Sequence, residues 1–179
     1  MFTEEEKKAY KKEIEAFFEK YPDCPRSKPV ECLNLIMKKE FAEQILSGEK
    51  KVEFRAYSKH YCDRLYDTAV VDWSDKKAAE IADEEEREAF LDEVLDFASP
   101  LRPVKKIHFH NYSNSWYLDV ECIANYTTVI ERTDVEFLQD EFGCHELDEE
   151  LERLEKMKAK DRPILFYFAI GKVLDTNLK

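Results

Sequence analysis

No stretch of this chain approaches the roughly 18 consecutive apolar residues that a helix needs to cross a bilayer. Its first residues, Met1-Phe2-Thr3-Glu4-Glu5-Glu6, are acidic where a secretory signal would be basic and then apolar. Membrane association is therefore not expected, and a cytoplasmic location is. Cysteine is sparse and scattered: Cys24, Cys32, Cys62, Cys122 and Cys144, with no C-x-x-C pair. An odd, widely spaced set argues against a disulfide framework and against a zinc ribbon, so reduced thiols are expected. No internal repeat or low-complexity tract is visible, and no pattern calls for a cofactor.

Positive charge is also short. The 179 residues carry 28 Lys/Arg against 40 Asp/Glu, a net charge of −12. That balance argues against a generic nucleic-acid binder and against double-stranded DNA as a partner. The deficit is uneven. Residues 80–96 hold nine acids and one arginine, and residues 131–155 hold eleven acids and two arginines. Residues 28–62 reverse the sign, with seven Lys/Arg against five Glu. Acidic runs of helical pattern are ordinarily solvated helix faces, yet the segregation leaves room for a locally basic cleft on an acidic body.

What the chain does have is apolar material: 44% of residues, with 13% aromatic, enough to bury a core despite 38% charged residues. Thr3 and Glu6 have capping-box spacing, and Tyr10, Ile14, Phe17 and Phe18 form a helical stripe, which predicts a helix over 4–20. A connector with three prolines follows. Residues 30–37 read as a strand, 39–47 as a short helix stopped by Gly48, and 51–57 as a second strand. Residues 58–75 predict a turn, a short helix near 61–65 and an extended piece through Val70, Val71 and Trp73. A helix is expected over 76–98, then a hairpin of strands 104–112 and 116–131 turning at 111–115. Thr133 and Glu136 suggest a second capping box for a helix that Gly143 closes. A further helix over 147–158 precedes an apolar run, 163–175, of central-strand character. The order describes an α+β domain: residues 1–28 as N-terminal helix and linker, and 29–179 as the domain, with a helical insertion at about 76–102.

The segment 47–55 carries the chemistry. Gly48 ends a helix, and Lys50, Glu53 and Arg55 follow within six residues. Strand alternation puts Glu53 and Arg55 on one side with Lys51, and turns Val52 and Phe54 toward the core. Arginine offers a planar fork of donors for phosphate or carboxylate, and lysine a mobile point charge. Glu53 can orient Arg55 or accept from a base's exocyclic amine, and Tyr57 shares their parity. The same residues equally describe a structural ion pair at a helix–strand corner.

The G-x-K-x-x-E-x-R pattern of Gly48, Lys50, Glu53 and Arg55, after a strand and a short helix, resembles the ASCH domain family of the PUA-like superfamily. The closing strand 166–174 with Gly171 is similar to that family's terminal strand. The resemblance implies a small PUA-like β-barrel flanked by helices, with a ligand cleft at Gly48, Lys50, Glu53, Arg55 and Tyr57. It implies RNA or a nucleotide-like small molecule as ligand. One branch of the family hydrolyses an acylated cytidine nucleoside with a lysine and a threonine of this motif and an acid from a later segment; another member is a ribonuclease. Lys50 falls on that lysine and would be catalytic if the chain is an enzyme. Glu53 stands where the threonine belongs, and the later acid falls loosely within 144–146.

Other positions have ordinary readings beside functional ones. His108 and His110 share a strand face without a visible third metal ligand. Cys144-His145-Glu146 sits in an interhelical turn. Tyr112, Trp116 and Tyr117 flank a hairpin turn, where aromatics either stack on a base or pack on the sheet. A protein-interaction module using the N-terminal helix or the acidic helices is a third reading, with no partner identifiable.

Overall fold

The computed structural model describes residues 3–178. The chain divides into two compact units. One takes the chain up to Pro29 together with Arg64–Arg102; the other takes Val30–Asp63 and the chain from Pro103 onward. Among the described residues no helix is long and apolar enough to cross a membrane.

The first unit holds helices α1 (Glu4–Lys20), α4 (Thr68–Glu80) and α5 (Glu84–Phe97). The Thr3/Glu6 capping box forms as the spacing predicts, with both reciprocal bonds in place. Phe17, Cys24, Ala78, Phe90, Val94 and Ala98 form the core, ringed by Tyr21, Trp73 and Phe97. The Tyr21 ring lies 5.7 Å from Trp73 and 5.6 Å from Phe90, both edge-on. The N-terminal helix is thus part of a helical unit that starts again at Arg64, well before position 76.

Two local readings are corrected here. Val70, Val71 and Trp73 are helical, not extended: the Asp67 carboxylate accepts from the Ala69 amide at 3.1 Å, and Val70, Ser74 and Ala78 repeat every fourth residue on the buried face. Tertiary burial overrides the β-branched propensity. The expected single helix over 76–98 is two, because Ile81 is extended and Asp83 caps α5 through the Glu86 amide at 2.9 Å.

The second unit contains β1 (Leu33–Ile36), α2 (Lys39–Ser47), β2 (Val52–Ala56), β3 (Lys106–His110), β4 (Tyr117–Val129), α6 (Arg132–Phe142), α7 (Asp148–Lys156) and β5 (Ile164–Thr176), and α3 (Lys59–Leu65) leads out of it. Its five strands form one mixed sheet in the order β1-β3-β4-β5-β2. β1 runs parallel to β3 and every other pairing is antiparallel. Register shifts between Asp119 and Ala124 bend β4, and the sheet curls into half a barrel. It stays open, because β1 and β2 form its two ends and do not pair. Gly171 sits where the bent strands crowd: a Cβ there would lie 2.7 Å from Ile123 Cγ2.

The apolar run predicts burial on both faces over 163–175; β5 is buried so only from Phe166 to Ala169, and from Lys172 to Asp175 it is exposed. Phe166 and Phe168 point one way, and Tyr167 joins Val52, Ile130, Val135, Leu138, Leu151 and Leu154 on the other, under α6 and α7. Gly143 closes α6 at φ +63°. The Thr133/Glu136 box does not form. Glu131 is the N-cap without a side-chain bond, and the Asp134 carboxylate instead accepts from the Val129 amide at 2.8 Å and the Thr128 hydroxyl at 3.1 Å.

The burial gradient along β5 yields a direct test. Phe168 is fully buried and Leu174 is 47% exposed. Phe168→Ala should lower unfolding free energy by about 3–5 kcal/mol in urea titrations, whereas Leu174→Ala should stay within about 0.5 kcal/mol of the parent. Equal losses at the two positions would contradict the two-faced burial of the first half of β5.

Candidate functional site: a buried charge cluster at the open seam

Gly48 adopts the left-handed conformation (φ +80°) that ends α2, and a Cβ there would meet nothing within 4 Å. The residue is required by its backbone angle, not by crowding. The turn carries the chain to Lys50, whose amide donates to the Gln44 carbonyl at 3.0 Å, and so points the lysine inward. Lys50 is only 5% exposed, where the sequence left its direction open.

From there a chain of ionic contacts runs to the opposite end of the sheet. Lys50 Nζ donates to both oxygens of Glu146, at 2.6 and 2.7 Å, and lies 3.5 Å from Glu53 Oε2. The other Glu53 oxygen holds Arg55 Nη2 at 2.7 Å. The same Nη2 donates to the Ile36 carbonyl at 3.0 Å. Arg55 stands on β2 and Ile36 on β1, so a side chain spans the two strands that leave the half-barrel open.

The physical reason for the cluster is burial. A charge removed from water is tolerated only when paired and hydrogen-bonded. Glu53 sits on the face of β2 whose β5 neighbours in register are Phe166 and Phe168. Burial pushes its carboxyl up from the usual range, against the pull of Arg55 and Lys50. With Glu146 included, two cations meet two carboxylates. The positive excess expected of this segment is therefore neutralised from the acidic region that follows α6, not presented as a basic cleft.

Two features distinguish this cluster from a closed ion-pair network. Arg55 Nε is buried and has no hydrogen-bond partner. Glu146 is 46% exposed, so the end of the chain at Lys50 opens to solvent. Tyr57, also half exposed, stacks on Phe166 at 5.1 Å with the rings 23° apart, and Phe166 is the register partner of Arg55. The structure thus brings Lys50, Glu53 and Arg55 together and sets Tyr57 next to them through Phe166. Gly48 shapes the backbone, with no side chain to offer. Glu146 is the member the sequence did not assign; its signals were an acid in the turn after Gly143 and the later acid that the resemblance places loosely within 144–146.

The remaining candidates resolve differently. Cys144 is buried and desolvation raises its thiol pKa, while His145 is exposed and pairs with Asp148 at 2.9 Å. All five cysteines are free; burial pushes Cys24 up to about 11 and Cys122 up to about 12, so neither is an activated thiolate. His108 is tied through Nδ1 to Asp119, which Lys106 also holds at 2.8 Å. Among the described residues no three potential metal ligands gather. Tyr112 is 88% exposed, Tyr117 stacks on His108 at 5.7 Å, and Trp116 is buried. The chain matches no protein-family model, no curated protein and no solved structure.

Two measurements follow from the cluster. Arg55→Met strands a buried carboxylate and should cost about 3–5 kcal/mol at neutral pH, with the double variant Glu53→Met/Arg55→Met recovering part of that loss; strict additivity in the cycle would show that the two residues do not interact. The second concerns pH. A carboxyl raised by folding makes the native state bind more protons than the unfolded chain above the ordinary value of 4.5. Its contribution to stability is therefore lost as pH rises through that window. The stability of the parent relative to Glu53→Gln should fall from about pH 4.5 upward, and a difference that rises or stays flat would refute the assignment.

Proposed function

We propose that the chain binds a nucleotide-like ligand, free or within single-stranded RNA, at the cluster of Lys50, Glu53, Arg55 and Glu146, and that the span from residue 29 is an ASCH-type, PUA-like domain. The observation that carries the reading is the Arg55 Nε–H, a buried donor left without a partner in a cluster whose other end, at Glu146, meets solvent. Buried donors are nearly always satisfied, and an orphan in a cluster that reaches solvent at Glu146 suits a ligand acceptor. Tyr57 supplies a face on which a base can stack, worth about 1–3 kcal/mol. Glu53 and Glu146 supply acceptors for exocyclic amines. The ASCH-type reading draws support from the motif following β1 and α2, from the glycine-bearing terminal strand, and from the curled mixed sheet.

The charge balance narrows the ligand. Lys50 and Arg55 are already met by carboxylates, and the whole chain carries −12. A polyphosphate or a long duplex would find no free cation here, whereas the edge of a base exchanges hydrogen bonds without adding charge.

A second reading, hydrolysis of an acylated cytidine nucleoside or of RNA, is favoured by one contact: the clasp of Glu146 on Lys50 pairs the motif lysine with a later acid, the pairing that the resemblance implies for the hydrolytic branch. Glu53 in place of a hydroxyl removes the nucleophile of that route, leaving a carboxylate that would serve as a general base toward water.

Binding of short single-stranded RNA and of nucleosides at low salt tests the first reading. Tyr57→Ala, at an exposed position, should weaken binding about tenfold, and Lys50→Met should weaken it as well. Absence of binding at low salt, or binding indifferent to both changes, would sink the proposal. Release of the acyl group or cleavage of RNA that is abolished by Glu146→Gln would move the assignment to the hydrolase.

A further inference from the structure

The outer face of β3 carries an arrangement that the Lys50 cluster does not use. Along this strand Ile107 and Phe109 are fully buried, and His108 and His110 alternate with them on the opposite face. We propose that these two histidines form an open binding site for a divalent transition-metal ion that favours imidazole, copper(II) or zinc, separate from the Lys50 cluster and independent of its function.

Both rings are held in the way a metal ligand needs. His108 Nδ1 faces the carboxylate of Asp119, its register partner on β4, and His110 Nδ1 lies 2.9 Å from the Asn111 carbonyl. Each of those partners is an acceptor. In the neutral rings the proton therefore sits on Nδ1 and the lone pair on Nε2. A carboxylate or a backbone carbonyl on the far nitrogen is the usual support of a metal-binding histidine. Lys106 holds Asp119 in turn, at 2.8 Å. Tyr117 stacks on His108 with the rings 20° apart, and its own hydroxyl donates to Asp175 at 2.9 Å. A bond and a stack thus fix the His108 ring before any ion arrives.

The spacing fits a single ion. The ring centres of His108 and His110 are 5.4 Å apart. Two imidazoles bound through Nε2 at about 2.0–2.1 Å to one tetrahedral ion have their centres about 5 Å apart. Neither Nε2 has a hydrogen-bond partner among the described residues, and the His108 side chain is 31% exposed, so an ion can enter from solvent. Among the described residues no third histidine, cysteine or carboxylate completes a ligand set. The remaining coordination positions therefore belong to water, as in sites that stay open. Imidazole donors select copper(II) or zinc over magnesium and calcium, which take oxygen ligands.

The chain has only four histidines, so the site can be assigned by substitution. In long-range 1H–15N spectra of the full chain, zinc chloride should move the Nε2 resonances of His108 and His110 together and saturably. Those of His60 and His145 should stay in place, and magnesium chloride should move none. Copper(II) should bind more tightly than zinc in calorimetry. His108→Gln and His110→Gln should each weaken copper(II) binding by about tenfold or more, with the backbone amide resonances in place as evidence of folding. The double variant His60→Gln/His145→Gln should bind it as the parent does. Absence of a saturable shift at His108 and His110 overturns the proposal. So does copper(II) binding that survives either single substitution, or that is lost in the double variant.

Discussion

The second unit depends on one side chain reaching across a gap. A curled sheet of five strands that does not close leaves two edges, here β1 and β2, whose backbone groups need partners. Arg55 bridges them, with Nη2 shared between Glu53 on its own strand and the Ile36 carbonyl on the other. A guanidinium is suited to this because its charge is permanent and its donors are held in a plane. Closing the seam with an arginine in place of a backbone ladder has a consequence. The charge must be balanced where water is scarce, so Glu53 comes inside with it. Lys50 then stands against Glu53, and Glu146 completes the balance from the turn before α7.

That chain of necessity explains why the site lies where it does. From Phe166 to Ala169, β5 is buried on both faces because α6 and α7 cover one side and the curled sheet encloses the other. β2, pairing with β5 alone, inherits the same two environments: Val52 enters the helical cluster, while Glu53 and Arg55 turn into the enclosure beside Phe168 and Phe166. The alternation along β2 therefore separates two buried faces, one apolar and one ionic. Solvent reaches the ionic face where Glu146 lies half exposed.

Local signals were legible in the sequence and long-range ones were not. Gly48 and Gly143 mark helix ends because a left-handed residue is needed within a few positions, and the Thr3/Glu6 box closes over three residues. The alternation of Val52 and Phe54 against Glu53 and Arg55 also reads directly. The partnership of Lys50 with Glu146 spans 96 positions, and no periodicity reports a contact made by folding. Only the resemblance hinted at it, placing a later acid loosely within 144–146, and by composition alone the segment looked basic. The helix through Val70 and Val71 was hidden for the opposite reason: the local preference of β-branched residues pointed one way, and the buried stripe of Val70, Ser74 and Ala78 decided the other.

A cluster that served stability alone would be a poor solution. Buried ion pairs are often replaceable by packed apolar residues at no loss, since desolvation offsets most of their attraction. Phe166 and Phe168 already supply an apolar wall beside Glu53 and Arg55, into which aliphatic side chains would fit. Against that alternative the chain keeps four ionisable groups, leaves the Arg55 Nε–H unsatisfied, and lets the last carboxylate meet water. The first two of these cost free energy in the unliganded protein. An acceptor placed on Nε would remove the cost of the unsatisfied donor. The proposed ligand is thus called for less by the charge of the cluster than by the Arg55 Nε–H, the donor that folding leaves unused there.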